Sequence, residues 1–193
     1  MNLPNKLSLA RVIMVPVFMI VIALPESVMP DVWSRIIGTA IFILTALTDM
    51  LDGMIARKCN MITDFGKFLD PIADKLLVFS ALLLFLDFGT VTVWSVFIIL
   101  FRELLVSALR MVASAAGVVV AADKLGKYKT ATTMVSICGY LCVFALSGLN
   151  LAPVALTLGI YGVSRFLYAV AVILTVISGA QYFWNCRKIV FSV

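Results

Sequence analysis

Residues 36–86 read IIGTAIFILTALTDMLDGMIARKCNMITDFGKFLDPIADKLLVFSALLLFL, two apolar runs that flank a centre of aspartates, glycines and basic residues. A bilayer's hydrocarbon core is about 30 Å thick and takes roughly 20 helical residues to cross, so each run with its flanks is a spanning length. Lipid offers no water to the backbone, so the runs must be helices that satisfy their own N–H and C=O groups. The centre, around Lys58–Phe65, is then the turn of a helical hairpin. On its first helix Asp49, Asp52, Gly53 and Ala56 fall at i, i+3, i+4 and i+7, one face. On its second, Gly66, Asp70 and Asp74 repeat every four residues and share a face as well. Antiparallel pairing sets Asp52 and Asp70 at similar shallow depths, with Asp49 opposite Asp74 about one turn deeper.

The rest of the chain follows the same grammar. Of 193 residues, 63% are hydrophobic and 13% charged, with a mean hydropathy of +1.14; a soluble domain carries about 25% charged residues. These values predict an all-α integral membrane protein, one domain over residues 1–193, with six transmembrane helices. The spans run approximately over Leu9–Leu24, Ile36–Arg57, Phe68–Leu86, Val93–Ala116, Thr130–Leu146 and Val154–Phe183. Pro25, Pro30, Gly89, Gly148 and Pro153 mark the short connections. Lys6 and Arg11 precede the first apolar run in the manner of a signal peptide, but no small-residue cleavage pattern follows, so a retained helix is expected. The segment Asn2–Arg11 mixes apolar and basic residues and suits a short interfacial stretch before the first span; simple flanking charge explains its spacing equally well.

Charge sets the orientation. With the N-terminus inside, the inner segments hold Lys6, Arg11, Arg57, Lys58, Lys67, Lys124, Lys127, Lys129, Arg187 and Lys188, against Arg35 outside beside Glu26, Asp31 and Asp87. The positive-inside rule therefore predicts a multi-pass protein of the cell membrane (inner or plasma) with both termini cytoplasmic. The net charge of +5 is accounted for by these span ends, and no nucleic-acid partner is implied.

The chain contains no histidine, so proton transfer falls to carboxylate, lysine or tyrosine. Cys59, Cys138, Cys142 and Cys186 lack metal-site spacing. Four carboxylates gathered in one hairpin repel one another and lose hydration. Either most are protonated or paired with Arg57, Lys58, Lys67 and Lys75, or they hold cations. Two divalent ions would neutralise four negative charges, and an oxygen-only donor set favours Mg²⁺, Mn²⁺ or Ca²⁺. Gly53 and Gly66 each cost up to about 1 kcal/mol in a helix. Beside the acids they read as a groove for a bulky ligand; alone, either would read as close helix packing. Pro71 bends or starts the second helix.

The stretch Thr48–Asp74 contains D-M-L-D-G-M-I-A-R, eight residues, then G-K-F-L-D-P-I-A-D. This resembles the signature of the CDP-alcohol phosphotransferases, D-x-x-D-G-x-x-A-R, eight residues, G-x-x-x-D-x-x-x-D, at every fixed position and in spacer length. The opening L-P-N-K-L-S-L-A-R-V-I, the segment Arg102–Arg110 (R-E-L-L-V-S-A-L-R) and Lys124–Thr132 (K-L-G-K-Y-K-T-A-T) resemble the branch of that family that uses glycerol 3-phosphate. Ala108 stands where that branch commonly has glycine. The resemblance implies two Mg²⁺ or Mn²⁺ ions on Asp49, Asp52, Asp70 and Asp74, with Asp74 also the catalytic base. It implies CDP-diacylglycerol bound by Asn5, Arg11, Asp52, Gly53, Ala56, Arg57 and Gly66, glycerol 3-phosphate as acceptor, membrane lipids as surroundings and a homodimer.

The acceptor's phosphate needs cations of its own. Arg110 is the first candidate, on a face with Glu103 and Ser107, supported by Lys127 and Lys129. The plainer reading of Lys124, Lys127 and Lys129 is that they anchor anionic lipid. Arg102 and Arg165 lie within apolar spans at a cost. Arg102 either pairs with an acid or helps hold the phosphate, while Arg165 forms an ion pair or snorkels outward. Phosphatidylserine, inositol-phosphate and cardiolipin synthases of the same family remain alternatives, because they would share the nucleotide half. A cation transporter is a further alternative, disfavoured because its acids would sit near the midplane, often in paired repeats.

Overall fold

A computed structural model describes the backbone of residues 3–59, 64–115, 124–149 and 152–190, and the side chains of residues 9–48, 72–113, 125–149, 152–185 and 187. The elements in chain order are α1 (Leu3–Ala23), α2 (Asp31–Cys59), α3 (Asp64–Asp87), α4 (Val93–Ala115), α5 (Lys124–Leu149) and α6 (Val154–Val190). The protein is all-helical across the described residues, as the hydropathy requires. Among those residues three stretches are long and apolar enough to cross a membrane: Asp31–Thr48, Leu125–Leu149 and Val154–Asn185. α1 carries a shorter apolar run, Leu9–Ala23. α4 has the length but holds Arg102, Glu103 and Arg110 within it. The expected N-terminal interfacial segment is not a separate element, because the helix is continuous from Leu3 through Pro16 to Ala23.

The connections have identifiable chemistry. After Pro25 a turn closes with Val28 N donating to Pro25 O at 2.9 Å, and Pro30 O then accepts from Trp33 N at the start of α2. α3 ends at Asp87, and Gly89 just beyond it has a φ of +66°, in the left-handed region. Thr90 N donates to Phe85 O at 2.8 Å and Gly89 N to Leu86 O at 3.0 Å, the paired bonds of a Schellman cap. Thr92 then caps α4, its Oγ1 accepting from Ser95 N at 3.3 Å.

The chain forms two compact units, Met1–Leu84 with Cys138–Tyr161, and Phe85–Ile137 with Gly162–Val193; α5 and α6 are each continuous and contribute to both. In the first, α1 packs on α2. Phe18 and Phe42, both fully buried, tilt together with centroids 5.5 Å apart, and Ser34 Oγ donates to Val21 O at 2.8 Å. Gly38 admits this approach, since a Cβ there would stand 2.4 Å from Ile22 Cγ1. The second half of α5 joins α2 through Thr39 Oγ1 to Leu141 O at 3.2 Å and Arg35 above the Phe144 ring at 4.6 Å. On α3, Ala73, Leu77, Ser80, Ala81 and Leu84 are buried at i, i+4, i+7, i+8 and i+11, one face of a helix.

In the second unit α4 and α6 run parallel. The Tyr168 hydroxyl donates to Ser95 Oγ at 2.9 Å, Arg102 lies against Gly179, and Val106 packs with Tyr182, so the paired residues advance together along both helices. Small and hydroxyl residues dominate the buried polar set: Thr133, Ser136, Ser164, Thr175 and Ser178. Thr133 Oγ1 to Lys129 O (2.8 Å), Ser136 Oγ to Thr133 O (2.8 Å) and Thr175 Oγ1 to Ala171 O (2.6 Å) return the hydroxyls to the helix backbone, so they bury without an unmet donor.

Candidate active site

The acidic signature spans the C-terminal half of α2 and the start of α3. Both backbones are helical through it, so the i, i+3, i+4, i+7 face of Asp49, Asp52, Gly53 and Ala56 and the i, i+4 face of Gly66, Asp70 and Asp74 persist. The side chains of Asn5, Asp49, Asp52, Arg57 and Asp70 lie outside the described residues, as do the surroundings of Gly53, Ala56 and Gly66 and the turn at 60–63. Asp74 is described and exposed, beside buried Ala73. No group of metal-ligating side chains occurs among the described residues. The donor set itself fits a hard divalent cation, being carboxylate oxygen alone on two helical faces.

The sequence expects Arg11 at the nucleotide site. It is 3% exposed on α1 and lines a groove of about 270 Å³ with Ala10, Met14, Ile41, Leu44, Thr45 and Thr48. The Thr45 and Thr48 hydroxyls donate to Ile41 O and Leu44 O within α2, leaving a largely apolar wall one residue before Asp49. This groove combines one buried cation with largely aliphatic walls.

The basic residues proposed for the acceptor separate in the second unit. Lys129 is buried and donates to Glu103 Oε1, which also accepts from Arg102 Nη1 at 3.3 Å. Side-chain exposures are 5% for Lys129, 12% for Arg102 and 19% for Glu103. Glycine makes room for the Arg102 side chain at both ends: a Cβ at Gly179 would lie 3.0 Å from its Cγ, and one at Gly126 would lie 3.3 Å from Nη2. Arg102 Nε is buried with no hydrogen-bond partner among the described residues, and so is the Tyr182 hydroxyl. Arg110 is exposed, its guanidinium 5.8 Å from the Tyr182 ring centroid. Ser107 Oγ donates to Glu103 O at 2.7 Å, inside the helix. Lys127 is exposed.

Thus Lys129 and Arg102 come together, Arg110 follows two turns along α4, and Lys127 takes no part in the cluster. Sequence reading missed Gly126, Gly179 and Tyr182. Its one available signal was a charged pair, Arg102–Glu103, inside an apolar span, which demands partners on neighbouring helices. Arg165, the other cation within an apolar run, is exposed on α6.

The CDP-alcohol phosphatidyltransferase family model matches residues 1–178. A Bacillus subtilis protein named CDP-diacylglycerol–glycerol-3-phosphate 3-phosphatidyltransferase is 39% identical, with 97% of each chain covered. A Rickettsia felis protein of the same name is 37% identical over 97% of this chain and 96% of its own length. A Mycobacterium tuberculosis protein named probable phosphatidylglycerophosphate synthase is 40% identical over 94% of this chain and 79% of its own. With its signature on two helical faces and its match running nearly end to end, this chain belongs to the CDP-alcohol phosphatidyltransferase family.

Proposed function

We propose that this protein transfers a phosphatidyl group from CDP-diacylglycerol to glycerol 3-phosphate, giving phosphatidylglycerol phosphate and CMP in phospholipid biosynthesis. The observation that carries the reading is near full-length similarity to relatives named for that reaction, together with an intact signature on α2 and α3.

Asp49, Asp52, Asp70 and Asp74 would hold two divalent cations, Mg²⁺ or Mn²⁺, which supply polarisation of the phosphoryl oxygens and neutralisation of the leaving group. Gly53, Ala56, Arg57 and Gly66 line the nucleotide and diphosphate groove, and Asn5 and Arg11 close it from α1. Asp74 takes the proton of the acceptor's 1-hydroxyl as that oxygen attacks the β-phosphorus. The bond from that phosphorus to the bridging oxygen breaks, and CMP leaves with the oxygen. Lys129 and Arg102 receive the acceptor's phosphate, with Arg110 beyond them on α4. Lys127, exposed near the start of α5, suits contact with anionic headgroups.

Six spans, cytoplasmic termini, an inner- or plasma-membrane location, a cytoplasmic-facing site and a homodimer complete the reading. Parallel α4 and α6 support α5 as a full crossing between them, because two helices separated by one intervening span must cross in the same direction.

Purified protein given CDP-diacylglycerol and a panel of acceptors, with CMP release as the signal, tests the assignment. Turnover is expected with glycerol 3-phosphate. Turnover with serine or inositol phosphate but not glycerol 3-phosphate would sink it.

A further inference from the structure

Glu103 is an acid where the proposed chemistry needs cations. Its Oε1 is the shared acceptor of Lys129 Nζ from α5 and Arg102 Nη1 from its own helix. A cross-helix ion pair alone would need one cation and one anion. Among the described residues two largely buried cations meet one carboxylate, leaving a net positive charge in a poorly solvated place, which is costly unless a further anion visits. Two donors lie along the same α4–α6 seam without hydrogen-bond partners among the described residues: Arg102 Nε and the Tyr182 hydroxyl. Buried donors of this kind are rare in folded proteins. An anion with several acceptor oxygens would answer both the charge and the Arg102 Nε donor.

Glu103 itself repels such an anion, so its contribution must pass through the cations. We infer that Glu103 is a positioning residue for the acceptor's phosphate, holding Lys129 and Arg102 at a fixed spacing so that both face one anion. The inference rests on the acceptor assignment in the preceding section. Without the carboxylate the two cations repel each other and lose their common anchor. Each long side chain then samples more rotamers, and acceptor binding weakens while the nucleotide half is untouched.

The experiment measures CMP release by the full-length protein in detergent micelles, varying glycerol 3-phosphate at saturating CDP-diacylglycerol and the reverse. Glu103→Gln is expected to raise the KM for glycerol 3-phosphate about tenfold, with kcat and the KM for CDP-diacylglycerol within about twofold, the pattern of lost uniform binding. Glu103→Asp, which keeps the charge on a shorter stem, is expected to fall between Gln and wild type, and serves alone if Glu103→Gln does not fold. The double variant Glu103→Gln/Lys129→Met is expected to be no worse than Lys129→Met, since residues acting through one another are not additive. A fall in active fraction with the acceptor KM unchanged, or multiplying effects in the double variant, overturns the positioning role. If Lys129→Met raises the acceptor KM and neither Glu103 variant does, this inference alone fails. If Lys129→Met leaves that KM unchanged, the acceptor assignment fails and takes the inference with it.

Discussion

Gly179→Ala is the most informative single substitution, because it moves one side chain of the proposed acceptor site through packing alone. The new methyl carbon would stand 3.0 Å from Arg102 Cγ and 3.9 Å from its Cβ. Carbon–carbon contacts are comfortable from about 3.5 Å, so roughly half an ångström must be found. Cγ lies near the root of the side chain, so the relief comes from the helix seam or from the whole guanidinium arm. The Arg102–Glu103 bond is already 3.3 Å long and cannot stretch far and survive. Overpacking costs about 1–3 kcal/mol, while replacing a helical glycine by alanine returns about 0.5–1 kcal/mol. The net loss of stability is thus small, about 0–2.5 kcal/mol by these two ranges. The catalytic readout is sharper. A charge-assisted hydrogen bond contributes about 1.5–3 kcal/mol, and losing the lower figure raises the KM for glycerol 3-phosphate about tenfold. Gly126→Ala makes a matched comparison, because its Cβ would meet only Nη2, the free end of the same side chain, at 3.3 Å. That end can swing by a few tenths of an ångström, so an acceptor KM within about threefold of wild type is expected. Gly159→Ala and Gly162→Ala, with nothing within 4 Å, serve as silent controls. Steady-state CMP release with both substrates varied reads all four. A larger effect at Gly126 than at Gly179, or an unchanged acceptor KM in Gly179→Ala, would refute the packing argument.

Asp74→Asn is expected to abolish turnover while retaining metal-dependent binding of CDP-diacylglycerol; near-normal turnover would remove Asp74 as the base. Asp49→Asn is expected to weaken that binding directly, and a chelator should suppress binding by the wild type until Mg²⁺ or Mn²⁺ is restored. Binding unaffected by chelation would count against the proposed metal site. Gly89→Ala is expected to lower thermal stability by about 1 kcal/mol through backbone strain alone, since its φ is +66° and no atom lies within 4 Å of an added Cβ. Unchanged stability would mean that the cap relaxes without cost, and a shift in either KM would be unexpected.

Much of this protein was legible from local pattern. Hydropathy alone gave the helical character and the starts of α4 at Val93 and α6 at Val154, because each apolar run must close its own hydrogen bonds wherever it packs. The i+3 and i+4 spacing of the aspartates put each set on one helical face for the same reason: periodicity is a property of the helix, independent of its neighbours. The cationic residues were not legible in that way. Lys127 and Lys129 look equivalent in a lysine-rich segment, yet two residues turn a helix by about 200°, and only packing decides which side is inside. It buried Lys129 against Glu103, 26 residues earlier, and left Lys127 exposed. Likewise, nothing local distinguishes Arg102, held between Gly126 and Gly179, from Arg165, exposed on α6. The sequence by itself determined a membrane-helical chain with its signature aspartates on two helical faces. Only the tertiary structure decided which cations share an anion, because the partners of a charge in a low-dielectric interior lie on other helices, at separations no local pattern encodes.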